Sequence, residues 1–328
     1  EFGKWLNNAG AIARWIAALG LIVMGGMALS RFGSATSFAI GGLIPAASIK
    51  HLIFWSTVAF AVTGLEAASF MGEEIRDATR TIRRAIYTAT PIIILIYILG
   101  TVSVLVALPS SEITNMQGVM EAIASVGDRL GIPGIAPIAA FIVALSALGS
   151  VGAWLGASAR LPFVAGIDRY LPPSFGRVHP KWGTPHVALI TQSVITLLCV
   201  VLSQAGSTVK SAYELLISMA VISYLIPYLY LFAAVIKVQG EPAAPGTYRP
   251  PGGRVGAILL AGLGIASTST AIVLALFPAE DDPNKAWATS KLVMLTFLLV
   301  GSGVVVYWRE KRKRAQRGAP GRSPVAGS

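Results

Sequence analysis

The chain has 328 residues, of which 54% are hydrophobic and only 12% are charged, and its mean hydropathy is +0.69. Since soluble domains carry about 25% charged residues, this chain has too few polar side chains to coat a water-soluble particle. The composition argues against a soluble protein and predicts the lipid bilayer as the solvent. The net charge of +11 is typical of membrane proteins, which collect Lys and Arg in cytoplasmic loops, so we expect no nucleic acid partner.

The chemistry of most enzyme and metal sites is missing from the sequence. The single cysteine, Cys199, lies in an apolar run, and the three histidines are scattered without ligand spacing. We find no HExxH, GxSxG or Cys–His pattern, and therefore expect neither an enzyme nor a bound metal or cofactor. Because the first residue is Glu rather than Met, we expect the chain to be an incomplete reading of a longer protein.

Eight stretches are long and apolar enough to cross a membrane as α-helices, which takes about 20 mostly apolar residues each. None alternates as a strand of a membrane barrel does, so the predicted fold class is an all-α integral membrane protein. The inter-helix segments are too short and too rich in Pro and Gly to bury a core. In chain order the predicted spans are roughly 9–29, 51–71, 86–108, 135–165, 186–204, 211–236, 255–277 and 289–308. They form one transmembrane domain (1–308), which a basic tail follows (309–328).

The distribution of basic residues predicts the orientation of these spans. With both termini in the cytoplasm, 18 of the 26 Lys and Arg residues fall on the inner side and six on the outer side, where Lys291 is counted. The other two, Arg14 and Arg160, fall within apolar runs. This bias predicts cytoplasmic N and C ends of a multi-pass protein in the cell membrane.

Residues 60–74, FAVTGLEAASFMGEE, contain the clearest functional pattern. Thr63 and Gly64 are placed in the middle of a span, and Glu66 follows at once. An ionisable group at this depth is costly and indicates a binding site or a proton path, while glycine allows the helix to unwind and present its backbone to a ligand. The structural alternative is a glycine for close packing and a Glu paired with a neighbouring helix.

Three segments resemble a known family. GLEAASFMGEEIRDATRTIRRAI is similar to the sixth helix and following loop of the amino acid/polyamine/organocation permeases, although Arg84 replaces a usual proline. Residues 149–185, GSVGAWLGASARLPFVAGIDRYLPPSFGRVHPKWGTP, resemble the eighth helix and its loop, with Tyr170 where glycine is usual. A third segment, 217–236, resembles the tenth helix.

The resemblance implies that the eight spans correspond to helices five to twelve of an inverted-repeat fold of five plus five helices, whose first and sixth helices are broken. Helices one to four are then absent, including the half-helix that holds the substrate carboxylate. We therefore expect the full-length protein, rather than this chain alone, to transport.

Site residues follow from the resemblance position by position. Phe60 corresponds to an aromatic gate, and the backbone carbonyls of Ala61, Val62 and Thr63, beside Gly64, would meet the substrate ammonium. Trp154 matches a tryptophan of the substrate pocket, with an interface anchor as the alternative. Ser218 matches a serine near the substrate, or else bonds back to its own helix. Ser158 lies near a position where sodium-coupled relatives bind the ion.

Arg14 is the other coupling candidate, together with Glu66. NNAGAIAR (7–14) resembles a fifth-helix pattern in which a Lys occupies the place of a coupling sodium. Arg keeps the fixed charge but cannot release its proton. The alternative is that Arg14 extends toward the inner headgroups.

The predicted function is secondary active transport of amino acids by alternating access, through exchange or proton coupling. The alternatives are a polyamine or organic-cation permease, and a nutrient sensor that kept the fold without transport. The expected partners are a small-molecule amino-acid substrate and the bilayer, with a homodimer as a further option.

Overall fold

A computed structural model describes residues 2–38, 49–113, 118–204, 209–241, 252–277 and 285–316, and within these ranges the chain is helical without strands. The helices are α1 (Phe2–Phe32), α2 (Ile49–Ala61), a 3₁₀ helix (Leu65–Glu74), α3 (Ala78–Ala107), a single turn (Ser110–Ile113), α4 (Val119–Leu130), α5 (Ile135–Ser158), α6 (Arg160–Ile167), a 3₁₀ turn (Pro173–Gly176), α7 (His186–Gln204), α8 (Val209–Val238), α9 (Gly253–Ala275) and α10 (Lys285–Gln316).

Eight helical segments of the described ranges are long and apolar enough to cross a membrane, and each overlaps one predicted span. Their bounds are Gly3–Phe32, Leu52–Phe70, Ala78–Ala107, Ile135–Ile167, His186–Gln204, Ser211–Val238, Gly253–Ala275 and Ala286–Lys313. The predicted all-α membrane architecture is therefore confirmed. Large apolar side chains such as Phe141 and Phe297, 70% and 75% exposed, point away from the protein, as expected where lipid is the solvent.

Several helices extend further into charged sequence than the hydropathy pattern predicts. α3 begins at Ala78, so the three arginines Arg80, Arg83 and Arg84 lie on its first turns rather than in a hairpin loop. α10 continues to Gln316 and takes in the start of the predicted basic tail, whereas residues 317–328 lie outside the described residues. Lys and Arg are good helix formers, so a helix need not end where the hydrocarbon ends.

The chain divides into two compact units. The first unit comprises residues 1–45 and 64–161, and the second comprises residues 46–63 and 162–328. In the first unit α1 packs against α3, α4 and α5. The buried stripe Ala17, Leu21, Met24 and Ala28 on α1 follows helical spacing and forms the centre of its apolar core.

Helix α4 lies in a segment, 109–134, for which the sequence predicts only a loop. Four apolar residues on one face are buried in the core of the first unit: Ala122, Ile123, Val126 and Leu130. Three charged residues of the helix, Glu121, Asp128 and Arg129, are exposed. The segment is thus an amphipathic helix of 12 residues, too short to be found by a search for membrane spans.

In the second unit α8 packs against α9, α10 and α2 around a second apolar core. One basic residue there was assigned wrongly from sequence. Lys291, predicted for an outer loop, lies within α10 and is only 5% exposed. Its Nζ donates a hydrogen bond to the Ser203 carbonyl, 2.7 Å away, near the C-terminal end of α7. A cation is favourable at that end because the last helix carbonyls lack intrahelical partners.

Candidate functional site

The membrane span Leu52–Phe70 is interrupted where the sequence predicts a broken helix. α2 ends at Ala61, and the 3₁₀ helix begins only at Leu65. Thr63 closes the end of α2, because both its backbone N–H (3.0 Å) and its hydroxyl (2.7 Å) donate to the Phe60 carbonyl. Gly64 then adopts a left-handed conformation with φ 105°, which other residues rarely adopt. The sequence therefore needs glycine at the break itself.

The carboxylate of Glu66 stabilises this break. Its Oε2 accepts a hydrogen bond of 3.0 Å from the Gly64 backbone N–H, at the start of the 3₁₀ helix. An acid in the first turn that reaches back to the helix start is a common N-terminal cap. The half-buried carboxylate thus has a local structural partner, which the sequence did not predict.

The structure brings Trp154 together with Gly64 inside the first unit. A Cβ atom at Gly64 would lie 3.3 Å from Cζ2 and 3.4 Å from Cη2 of Trp154. The indole ring therefore lies directly beside the left-handed residue and is 44% exposed. Trp154 is close to the middle of the span Ile135–Ile167, far from the positions where aromatic residues anchor a helix at the interface.

Arg14 is held by the facing helix of the first unit. Its Nε donates to Ser146 Oγ at 3.3 Å, and its Nη2 donates to Ser150 Oγ. Below these bonds α1 and α5 meet at two glycines, since a Cβ on Gly10 would lie 2.6 Å from the Gly149 Cα. We call this contact the α1–α5 seam: Gly10 and Arg14 on α1, and Ser146, Gly149 and Ser150 on α5.

Sequence reasoning did not single out the two serine partners of Arg14. Their i, i+4 spacing places them on one face of a helix, and this was the available signal. Ser158, the predicted coupling residue, lies two helical turns beyond Ser150, about 12 Å along the axis. Its hydroxyl donates to the Trp154 carbonyl at 2.6 Å, so the structure does not bring it to Arg14.

In the second unit Phe60 begins a row of aromatic rings that continues along α8. Phe60 meets Tyr224 edge to face at 5.7 Å between centroids, and the row continues through Tyr228 to Phe232 at spacings of 6.0 and 6.1 Å. We call Phe60, Tyr224, Tyr228 and Phe232 the aromatic row. Phe60 thus contacts α8 six residues beyond the predicted Ser218, which is half-buried. The i, i+4 spacing of the rings in YLIPYLYLF was visible in the sequence.

The remaining predicted site residues, Ala61 and Val62, have exposed side chains at the end of α2. Among the described residues, no group of three or more His, Cys, Asp or Glu side chains could hold a metal ion.

Comparison with known proteins identifies the family. Residues 2–302 match the family model of amino acid permeases. The chain belongs to the amino acid permease family. This confirms the resemblance found in the sequence, and the family is one of permeases rather than enzymes.

Three curated relatives that match the chain are bacterial transporters. An uncharacterized transporter of Legionella pneumophila is 29% identical over 240 residues, which cover 73% of this chain and 51% of the relative. A glutamate/gamma-aminobutyrate antiporter of Lactococcus lactis is 24% identical over 287 residues, which cover 82% of this chain and 56% of the relative. An uncharacterized transporter of Mycobacterium tuberculosis is 26% identical over 270 residues, which cover 78% of this chain and 56% of the relative. The chain spans about half the length of these relatives.

Proposed function

We propose that the full-length permease is a secondary active transporter that moves amino acids across the cell membrane by alternating access. The observation that carries this proposal is the interrupted span, with left-handed Gly64 at the break and the Trp154 indole against it. Helix breaks inside membranes are tolerated only where the backbone is buried in protein or lines a cavity, and transporters use them to bind polar substrates. The relative named as a glutamate/gamma-aminobutyrate antiporter supports an amino-acid substrate and an exchange mechanism.

We assign roles to the residues around the break. The carbonyls of Ala61, Val62 and Thr63 accept hydrogen bonds from the substrate ammonium, and Gly64 lets the backbone approach it. Trp154 supplies an apolar wall for the substrate. Phe60 acts as a gate, and its position is set by Tyr224. Ser218 is assigned a polar contact with the substrate on the family resemblance alone.

Coupling is assigned to Arg14 and Glu66. The Arg14 guanidinium supplies a permanent positive charge at the α1–α5 seam, which replaces a coupling sodium, so transport needs no sodium gradient. Since a guanidinium does not deprotonate, the proton-linked step falls to Glu66, whose protonation would weaken its bond to the Gly64 N–H. Ser146 and Ser150 hold the guanidinium, and Ser158 keeps only the coupling role that the resemblance suggests.

The orientation proposed is cytoplasmic for both termini. With Lys291 buried in α10, five outer basic residues remain against 18 inner ones, so the bias becomes stronger. Cysteines at Ser110 and Asp282 are expected to react with an impermeant reagent from outside the cell. A cysteine at Arg314 is expected to react only after permeabilisation, and its reaction in intact cells would contradict the orientation.

The test of function is uptake of radiolabelled amino acids by the full-length protein in proteoliposomes, with and without a sodium gradient. We expect saturable uptake that a sodium gradient does not change. In the Trp154→Ala variant we expect the free energy of substrate binding to weaken by about 1–3 kcal/mol. Trp5→Ala is the matched control, because Trp5 is 75% exposed on the same unit and has no role in the proposed site. Substrate binding without any uptake would support the sensor alternative and contradict transport.

A further inference from the structure

The C-terminal end of α10 presents aromatic and basic side chains where its apolar stretch ends. The apolar run ends at Val306 and is followed by Tyr307 and Trp308. The next helical turn contains Arg309, Lys311 and Arg312. These two aromatic and three basic side chains are all exposed. Tyr and Trp concentrate at the membrane–water interface, because each ring has an apolar body and a polar tip.

Lys311 is positioned over both rings. Its Nζ lies 5.8 Å from the centroid of Tyr307 and 5.2 Å from that of Trp308. Both distances allow a cation–π attraction. The ammonium is therefore held at the level of the rings, at the boundary of the hydrocarbon.

The one acidic residue of this region is already neutralised. Glu310 is the only Asp or Glu in residues 300–328. Its Oε1 pairs with the Nζ of Lys313 at 2.6 Å, and Glu310 is only 8% exposed. The exposed surface around the rings consequently retains the charges of Arg309, Lys311 and Arg312.

A second, distant segment of the same unit completes this surface. Tyr170, in the loop after α6, stacks on Tyr307 with 5.9 Å between centroids and 17° between planes. Its neighbours Asp168 and Arg169 are both exposed and offset each other in charge. The surface is thus built by packing of a loop against a helix, and is more than a basic tail.

We propose that this aromatic–basic cap (Tyr170, Tyr307, Trp308, Arg309, Lys311 and Arg312) binds the headgroups of anionic phospholipids in the leaflet that the end of α10 reaches. α10 has 32 residues and is about 48 Å long, whereas the hydrocarbon is about 30 Å thick. Its last turns therefore extend into the headgroup layer. There the rings contact the glycerol and upper acyl region, while the cations contact the phosphate.

Two features favour a lipid over free phosphate as the occupant. The exposed rings offer apolar contact that only a lipid can use, and a lipid phosphate is presented at the depth of the rings. Basic residues beside a membrane span attract anionic lipids, each contributing about fivefold in affinity. This inference depends on the chain spanning a membrane and does not depend on transport.

The experiment measures the association of spin-labelled phosphatidylglycerol, relative to phosphatidylcholine, with the full chain in phosphatidylcholine nanodiscs. The unmodified chain is expected to select phosphatidylglycerol. The triple variant Arg309→Gln, Lys311→Gln, Arg312→Gln is expected to lower this selectivity at least about fivefold. Tyr307→Leu with Trp308→Leu keeps every charge and is expected to lower it about twofold, through loss of the contacts that hold Lys311.

The matched control removes the same charge from the first turns of α3, as Arg80→Gln, Arg83→Gln, Arg84→Gln. These arginines are exposed and lie on a different helix, outside the aromatic–basic cap, and their loss is expected to leave most of the selectivity in place. Added inorganic phosphate is expected not to displace the lipid. Equal losses in the two triple variants, no loss in the α10 variant, or displacement by inorganic phosphate would each overturn the proposal.

Discussion

The α1–α5 seam of the first unit and the aromatic row of the second unit hold helices together in opposite ways. At the seam, Gly10 and Gly149 bring two backbones together, and Arg14 bonds across to Ser146 and Ser150. Along α8, large rings fill the space between helices, and Phe232 packs over Gly264 of α9. In lipid, where the hydrophobic effect does not drive helices together, close packing and interhelical hydrogen bonds hold them. The seam uses both, and the row shows ring-to-ring packing.

The largest expected effect comes from adding a single methyl group at the seam. In Gly10→Ala the new Cβ would lie 2.6 Å from the Gly149 Cα and 3.0 Å from the Leu145 carbonyl oxygen. Since backbone atoms cannot rotate away, α1 and α5 must separate, and we expect a loss of about 3 kcal/mol in the free energy of unfolding. The measurement is unfolding of the full-length protein by SDS in mixed micelles.

Two matched variants sharpen this comparison. In Gly264→Ala the new Cβ would meet the Phe232 ring at 2.6 Å, but a side chain can turn, so we expect a loss of about 1 kcal/mol. Gly20→Ala, with no atom within 4 Å, is expected to keep or slightly raise stability, because alanine favours helix. Equal losses at positions 10 and 264 would show that the seam is no tighter than the row.

Removal of the charged bonds across the seam is expected to have the next largest effect. Arg14→Met loses two hydrogen bonds from a charged donor, and we expect a loss of about 2 kcal/mol in the free energy of unfolding. Lys4→Met, an exposed position in the first turns of the same helix, is the control. No difference between these variants would mean that packing alone holds the seam.

The conservative variant Arg14→Lys tests coupling rather than stability. An ammonium can lose its proton, whereas a guanidinium cannot. We therefore expect uptake by the Arg14→Lys protein to acquire a new dependence on pH, while the unmodified protein is independent of sodium. Sodium-driven accumulation by the unmodified protein would refute the role of Arg14.

The aromatic row is expected to contribute less for each contact. Edge-to-face pairs add about 1 kcal/mol beyond the area that they bury. A double-mutant cycle with Phe60→Ala and Tyr224→Ala is therefore expected to give a coupling of about 1 kcal/mol in stability. Phe60→Ala is also expected to slow exchange more than it lowers substrate affinity. Tyr230 lies on α8, as Tyr224 does, and is 75% exposed. The Tyr230→Ala substitution should therefore show no coupling to Phe60→Ala.

The smallest expected effect on stability is that of Glu66→Gln. The glutamine side-chain oxygen can still accept the Gly64 N–H, so we expect a change within about 0.5 kcal/mol. Its pH profile of uptake should become flat, with substrate binding retained. Glu121→Gln, an exposed acid on α4, should leave the profile unchanged. A profile equally unaltered by Glu66→Gln would leave Glu66 as a structural cap.

Each predicted span overlaps a helical segment of the described residues that is long and apolar enough to cross a membrane. Within the described residues, the eight helices that could cross a membrane and the interruption near Gly64 follow from local sequence, since a helix in lipid satisfies its own backbone. The prediction of a loop at 109–134, where α4 lies, and the prediction of an outer-loop position for Lys291 were wrong for the same reason. In both cases the structure depends on burial against other elements. The mean hydropathy of a half-apolar helix of 12 residues is similar to that of a loop. A lysine is expected to be exposed until the buried group that it bonds is known.

The sequence by itself determined that the protein is an all-α membrane permease, which stretches are long and apolar enough to cross a membrane, and which residue interrupts the second of them. These properties depend on composition, on runs of about 20 residues and on a motif, which are all local. Only the tertiary structure decided that Trp154 lies against Gly64, that Arg14 bonds to Ser146 and Ser150, and that Phe60 meets Tyr224. Each of these pairs joins residues far apart in the chain, and their distances are set by how helices pack at glycines and rings, which no local pattern encodes.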